Sequence, residues 1–227
     1  MNKILVIAFL LLTTVVKGGE KDEFQFGMRM GLNLADQRFE GKKEFDDLND
    51  GSWKFLPGFT LGFMAEIPLA SFLEIRAEAL VTSMGRQFVN KTDKDNWIKS
   101  KIAYGYVQFP VMAKLQLGGE NIRGFVNFGP QFGVGVYGLY RDKFAIDGEK
   151  DTENEGFKFK DEDLKRFDLG LSTGIGLEMK NKVEFEVRYT HGFSDIVDWE
   201  ATAGGERPDG VQKFTNQGLA VTFGYKF

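Results

Sequence analysis

From Gly218 to Phe227 the chain alternates apolar and small or polar residues without a break. Leu219, Val221, Phe223, Tyr225 and Phe227 share one face, and Ala220, Thr222, Gly224 and Lys226 share the other. A period of two means a strand whose faces meet different surroundings. An apolar face that runs to an aromatic last residue needs a cover, and a strand edge needs a partner. Both needs are met if the sheet closes on itself with its apolar face outward in lipid.

The same period recurs along the whole chain and divides it into eight segments. The first sets Phe24, Phe26, Met28, Met30, Leu32 and Leu34 against Gln25, Gly27, Arg29, Gly31 and Asn33. The second runs from about Gly58 to Ile67, and the third from Leu73 to Thr82 with Glu74, Arg76 and Glu78 on its polar face. The fourth, Tyr106 to Leu115, carries Lys114 on that face and also Pro110, which weakens a strand assignment. Val126 to Val136, Asp168 to Met179 and Val183 to His191 follow, and the stretch after Gly218 is the eighth.

Connection lengths alternate too. Long polar stretches, near 36 to 55, 87 to 101, 141 to 163 and 195 to 214, follow the odd segments and are expected to be mobile external loops. Short turns near 68 to 72, 118 to 122 and 180 to 182 follow the even ones. Up-and-down strands would gather the long loops at one end and the short turns at the other. That is the outer-membrane pattern, an eight-stranded antiparallel up-and-down transmembrane β-barrel with both termini periplasmic. A soluble lipocalin-like barrel, apolar inside, is the alternative. Against it, the glycines at 27, 31, 62, 129, 133, 135, 170, 174, 176 and 224 share the polar parity. Small residues are needed inside a narrow barrel, whereas on a wetted surface they only weaken strands. Aromatics such as Phe24, Phe26, Tyr189, Phe193, Tyr225 and Phe227 also gather near segment ends on the apolar parity, as in interfacial girdles.

Residues 1–18 read as a signal peptide, with Lys3 ahead of an apolar core from Ile4 to Val16 and small residues at Gly18 and Gly19. That core is short of the about 20 residues a spanning helix needs. Residues 19–227 then form one barrel domain. With 227 residues and a net charge of -4 there is no basic footprint for nucleic acid. No cysteine is present, which excludes disulfides, thiolate metal sites, cysteine nucleophiles and a lipidated cysteine. Twenty-three phenylalanines, 28 glycines and only 5 prolines suit strands better than helices.

The interior parity carries Arg29, Glu66, Glu74, Arg76, Glu78, Lys114, Asp168, Glu178, Glu184, Glu186, Arg188 and Lys226. These charges are read as a structural network that fills the lumen, because buried charges persist when paired and an eight-stranded barrel is only wide enough for its own side chains. A charged permeation path, making a narrow channel, is the competing reading. His191, the single histidine, falls near Asp195 and Asp198 at the external rim and is the one handle for a rim enzyme acting on lipid or protein. No paired serine accompanies it, so an interfacial histidine is preferred and no catalytic, metal or cofactor site is assigned. Gly133 to Gly138 fits G-x-G-x-x-G, but its first glycines lie inside a strand, not between a strand and a helix. The acidic run Asp147, Glu149, Asp151, Glu153 and Glu155 lacks calcium-loop spacing and reads as solvated loop. Asn90-Lys91-Thr92 matters as a sequon only in a eukaryote.

Several short motifs resemble the PorT-like outer-membrane β-barrel proteins of Bacteroidetes-type bacteria. They are Gly31-Leu32-Asn33, Glu78 with Gly85, Tyr106 to Lys114 with Pro110, and Asp168 with Gly170, Gly174, Gly176 and Glu178. Arg188-Tyr189 with Gly192, Asp195-Ile196, and Gly224-Tyr225-Lys226-Phe227 complete the likeness, while Gln108 stands where the family often carries an acid. The resemblance implies an eight-stranded outer-membrane barrel, with Phe223, Tyr225 and Phe227 as the closing-strand signal. Some relatives assist protein export by the type IX machinery. The partners so implied are outer-membrane lipid and lipopolysaccharide, the barrel-assembly machinery and protein-export components. The role expected is structural or accessory: envelope integrity, surface contact or export.

Overall fold

A computed structural model describes residues 24–41, 52–119, 121–200 and 211–227. The expected signal peptide and the centres of the first and last expected loops, 42–51 and 201–210, lie outside the described residues. Among the described residues nine strands are formed: β1 (Gln25–Gly41), β2 (Ser52–Ala70), β3 (Leu73–Lys91), β4 (Trp97–Gly118), β5 (Ile122–Ile146), β6 (Glu149–Phe157), β7 (Phe167–Met179), β8 (Val183–Gly192) and β9 (Val211–Lys226). One 3-10 turn, Phe159–Glu162, lies between β6 and β7.

Every pairing is antiparallel, and the sheet closes into a ring. β1 pairs with β2 on one side and with β9 on the other, from Gly27 opposite Lys226 to Gly41 opposite Val211. β4 and β5 complete the circuit, from Trp97 opposite Ala145 to Gly118 opposite Arg123. The ring therefore holds eight strands, and β6 stands outside it. β5 pairs with β7 over Ile122 to Val134 and then, farther along, with β6 over Gly138 to Ile146.

The stretches 87–101 and 141–163, expected as mobile loops, are mostly strand. β3 and β4 run on past the ring as a hairpin that turns at 92–96, and β5 and β6 form a second hairpin beside it. Asp147 and Gly148 occupy the β5–β6 turn at φ 53° and 83°, the backbone that two-residue hairpin turns require. The tips are tied together: Gly148 N–H donates to the Asp95 carbonyl at 3.1 Å, and Asp147 N–H to Asn96 Oδ1 at 3.2 Å. A slab of these four strands, edged by the first residues of β2 where Ser52 to Lys54 pair with β3, thus projects from one end of the barrel. At the other end the connections are short, as at Lys180 and Asn181, where φ of 51° and 54° twists the chain straight from β7 into β8.

Parity sorts the two faces. Outward side chains such as Leu32, Phe63 and Ile175 are 74%, 63% and 63% exposed, whereas inward Arg29, Arg76 and Lys114 are at 1% or less. This distribution is the reverse of a lipocalin-type barrel, which puts its apolar side chains inside. Inward glycines let the ring close tightly: a Cβ at Gly31 would run into the Val221 carbonyl and the Thr222 Cα across the β1–β9 seam. Gly31→Val is therefore expected to cost about 1–3 kcal/mol by overpacking that seam. The check is the fraction of refolded protein that keeps the fast, heat-modifiable gel mobility of a closed barrel.

Candidate functional site

The interior is the candidate site, and it is filled in layers. Nearest the short-turn end lies an ion network in which Arg29, Arg76, Lys114, Arg188 and Lys226 face Glu66, Glu74, Glu78, Glu178, Glu184 and Glu186. The strand alternation aims each of these residues inward from β1, β2, β3, β4, β7, β8 or β9. Arg188 forks onto Glu78 at 2.5 and 2.9 Å and reaches Glu186 with Nε at 2.6 Å. Arg29 bridges Glu184 and Glu186, each at 2.8 Å. Arg76 contacts Glu66, Glu184 and Glu186 and lies 5.1 Å from the centre of the Phe125 ring. Lys114 gathers Glu66, Glu74, Glu178 and Glu184 within 3.1 Å, and Lys226 holds Glu66 at 2.8 Å and Glu178 at 2.9 Å.

Asp168 is inward but lies apart from this network. It accepts a hydrogen bond from Asn216 Nδ2 at 2.9 Å, and the same amide group reaches the Tyr106 hydroxyl at 3.3 Å, toward the slab end of the barrel. Sequence parity placed Asp168 inside without showing at which level. Asn216 and the buried Arg86, 3.9 Å from Asp36, are interior groups that sequence reasoning missed, since each falls in the short gap between an expected strand and an expected loop. Phe223, Tyr225 and Phe227 lie on the outer face of the closing strand.

Above the ions comes a neutral polar layer. Thr60 and Thr82 share a 2.9 Å hydrogen bond, and Ser172 bonds Gln131 at 2.6 Å and Thr190 at 3.1 Å. Gln108 lines the same layer. A cavity of about 30 Å³ remains there, large enough for a water or two.

An aromatic plug packs into the slab end. Phe157 and Phe159 fold into the barrel against Tyr104 and Tyr106, with ring centres 5.5 to 5.9 Å apart, and Phe157 stacks on Tyr140 at 4.4 Å. A register shift opposite Gly105 and Tyr106 turns both Gly135 and Gly138 inward. A Cβ at Gly135 would strike the Phe159 ring, and one at Gly138 the Phe157 ring. Two glycines of the G-x-G-x-x-G match are thus seats for the plug.

Other candidates resolve as follows. His191 packs between Tyr189 and Phe193, at 6.4 and 5.4 Å between ring centres. Asp195 accepts hydrogen bonds from Trp199 Nε1 at 2.8 Å and Phe214 N–H at 3.1 Å. Glu149, Asp151, Glu153 and Glu155 lie on β6, a strand where a loop was expected, and alternate onto one face of the slab. Glu66, Glu74 and Glu178 stand close enough to share a metal ion at the short-turn end, where a vestibule of about 370 Å³ opens. The ammonium groups of Lys114 and Lys226 already lie among these carboxylates.

Removing one partner from a buried pair strands the other charge. Arg188→Met is expected to destabilise the barrel by about 3–5 kcal/mol, read as a lower urea midpoint, and adding Glu78→Gln should restore part of the loss. Unchanged stability of the single variant would contradict a structural network.

The sequence profile of the outer membrane protein beta-barrel domain family matches residues 19–198. No curated protein matches the sequence. Among solved structures, the chain is similar to Ail, the attachment invasion locus protein of Yersinia pestis, in its complex with the heparin analogue sucrose octasulfate. Identity is 14% over 90% of this chain and 99% of that one, with a TM-score of 0.40. It is also similar to OprG of Pseudomonas aeruginosa (14% identity, 91% and 97% covered, TM-score 0.43) and to Neisserial surface protein A (12%, 89% and 97%, TM-score 0.41). These likenesses are loose, and the strand register itself defines the barrel. The chain belongs to the outer membrane protein beta-barrel domain family, which places it in the outer membrane of a Gram-negative bacterium.

Proposed function

We propose that this protein is a non-conducting accessory barrel that works at the cell surface through its projecting slab. The observation that carries the reading is the filled interior: ions, a neutral polar layer around a cavity of about 30 Å³, and an aromatic plug follow one another. A channel needs a continuous wet path. The short turns and both ends of the described chain lie at the end opposite the slab, in keeping with periplasmic termini and an outward slab. The packing of His191 among aromatic rings favours a role without catalysis.

Within accessory roles, the PorT-like motifs favour assistance to export of surface proteins, with outer-membrane lipid, the assembly machinery that would read the closing strand, and export components as partners. The test is quantitative mass spectrometry of surface and secreted proteins in a strain deleted for the gene, beside a complemented control. A set of exported proteins should be held back in the periplasm and restored by complementation. An unchanged surface proteome would remove the export role.

A further inference from the structure

Among the described residues, cations gather on the outer face of the slab with no acid beside them. Past the register shift, β4 and β5 set Lys101 opposite Arg141 and Lys99 opposite Lys143. Like charges directly opposite one another destabilise a sheet. Lys54 joins the same row, since it pairs with Gln87, which in turn pairs with Lys101. The acids of the slab give no relief, because Asp142, Asp151, Glu153 and Glu155 alternate onto the other face. Among the described residues, no carboxylate comes within ion-pair distance of Lys99, Lys101, Arg141 or Lys143. Arg141 Nε donates to the neutral Asn154 Oδ1 at 2.7 Å. Burial first, and then the charges of Lys99, Arg141 and Lys143, pull the Lys101 ammonium below the ordinary lysine range.

The position of the cluster points to what neutralises it. The basic face continues the apolar outer wall, which on β4 carries Leu115, Val111, Phe109 and Val107 and on β5 carries Phe128, Phe132 and Tyr137. From Tyr137, half exposed at the rim, Arg141 is four residues farther out, about 10 Å along the membrane normal for a strand tilted near 40°. That is the depth of lipid headgroups outside the hydrocarbon.

We propose that Lys99, Lys101, Arg141 and Lys143 bind the phosphates of a glycolipid whose acyl chains lie against the barrel wall below them. The inference rests on the outward slab of the proposed function, which makes that lipid the phosphorylated glycolipid of the outer leaflet. A lipid with two phosphates on adjoining sugars matches paired cations better than a zwitterionic phospholipid, whose amine would face the same lysines. A soluble polyanion would meet the cations but would have no use for the apolar wall.

The test uses the full chain, refolded in detergent, and native mass spectrometry of what it retains from added diphosphorylated lipid A, from the same lipid freed of phosphate, and from inositol hexakisphosphate. The variant is Lys99→Gln/Lys101→Gln/Arg141→Gln/Lys143→Gln, with Lys180→Gln/Lys182→Gln at the short-turn end as control. Losing the repulsion should leave the lipid-free melting temperature of the quadruple variant unchanged or raised. Retention of diphosphorylated lipid A should fall at least about tenfold in that variant and not in the control. Equal retention by the quadruple variant, or by wild type of the phosphate-free lipid, would overturn the site. Binding of inositol hexakisphosphate as tight as that of lipid A would overturn the lipid as its source. Orientation is read separately with Glu153→Cys, on the acid face away from the proposed lipid and the single cysteine in an otherwise cysteine-free chain, and a membrane-impermeant maleimide on intact cells. Labelling is expected; failure to label would overturn the outward slab and the choice of leaflet, whatever the binding in detergent.

Discussion

Five buried cations and the carboxylates around them hold this barrel together from within. A ring of eight strands with an apolar outer face must put its polar residues inside, where water is scarce and every charge needs a partner. Arg29, Arg76 and Arg188 supply planar forks, and each touches at least two carboxylates. Lys114 and Lys226 act as point charges around which carboxylates converge. Because β1, β2, β3, β4, β7, β8 and β9 all contribute, the network ties together strands distant in sequence, as in the pairing of Arg76 with Glu184. It also fills the lumen near the short turns, which is the physical basis of the proposed non-conducting role.

Much of this was legible because each face of a ring strand meets one environment. Period-two parity gave the eight ring strands, the outward apolar face and the inward position of every charge in the network. It did not give the pairings. Arg188 and Glu78 lie on β8 and β3, and only ring closure brings them to 2.5 Å. Asp168 shows the same limit, since parity marks it as inward but says nothing of height along the axis, and its partner is Asn216.

The slab was illegible for the complementary reason. Beyond the bilayer both faces of a strand meet water, so β6, with Lys150, Thr152 and Asn154 between acids, has no apolar period to read. The hairpin signal was Asp147-Gly148, which fits the backbone observed there, but it lies between polar runs and was absorbed into a loop. The plug was hidden likewise. Phe157 and Phe159 alternate with lysines over too few residues to count as a strand face, and the glycines that receive them belong to another strand.

Slab and lumen are therefore built differently, with the lumen filled by paired charges and aromatic rings and the slab presenting acids on one face and cations on the other. The central claim is that the lumen is closed, and recording from single refolded barrels in a planar lipid bilayer tests it most directly. A flat current across a wide voltage range is the predicted result. Stable unitary steps that scale with salt concentration would show a continuous aqueous path and contradict it.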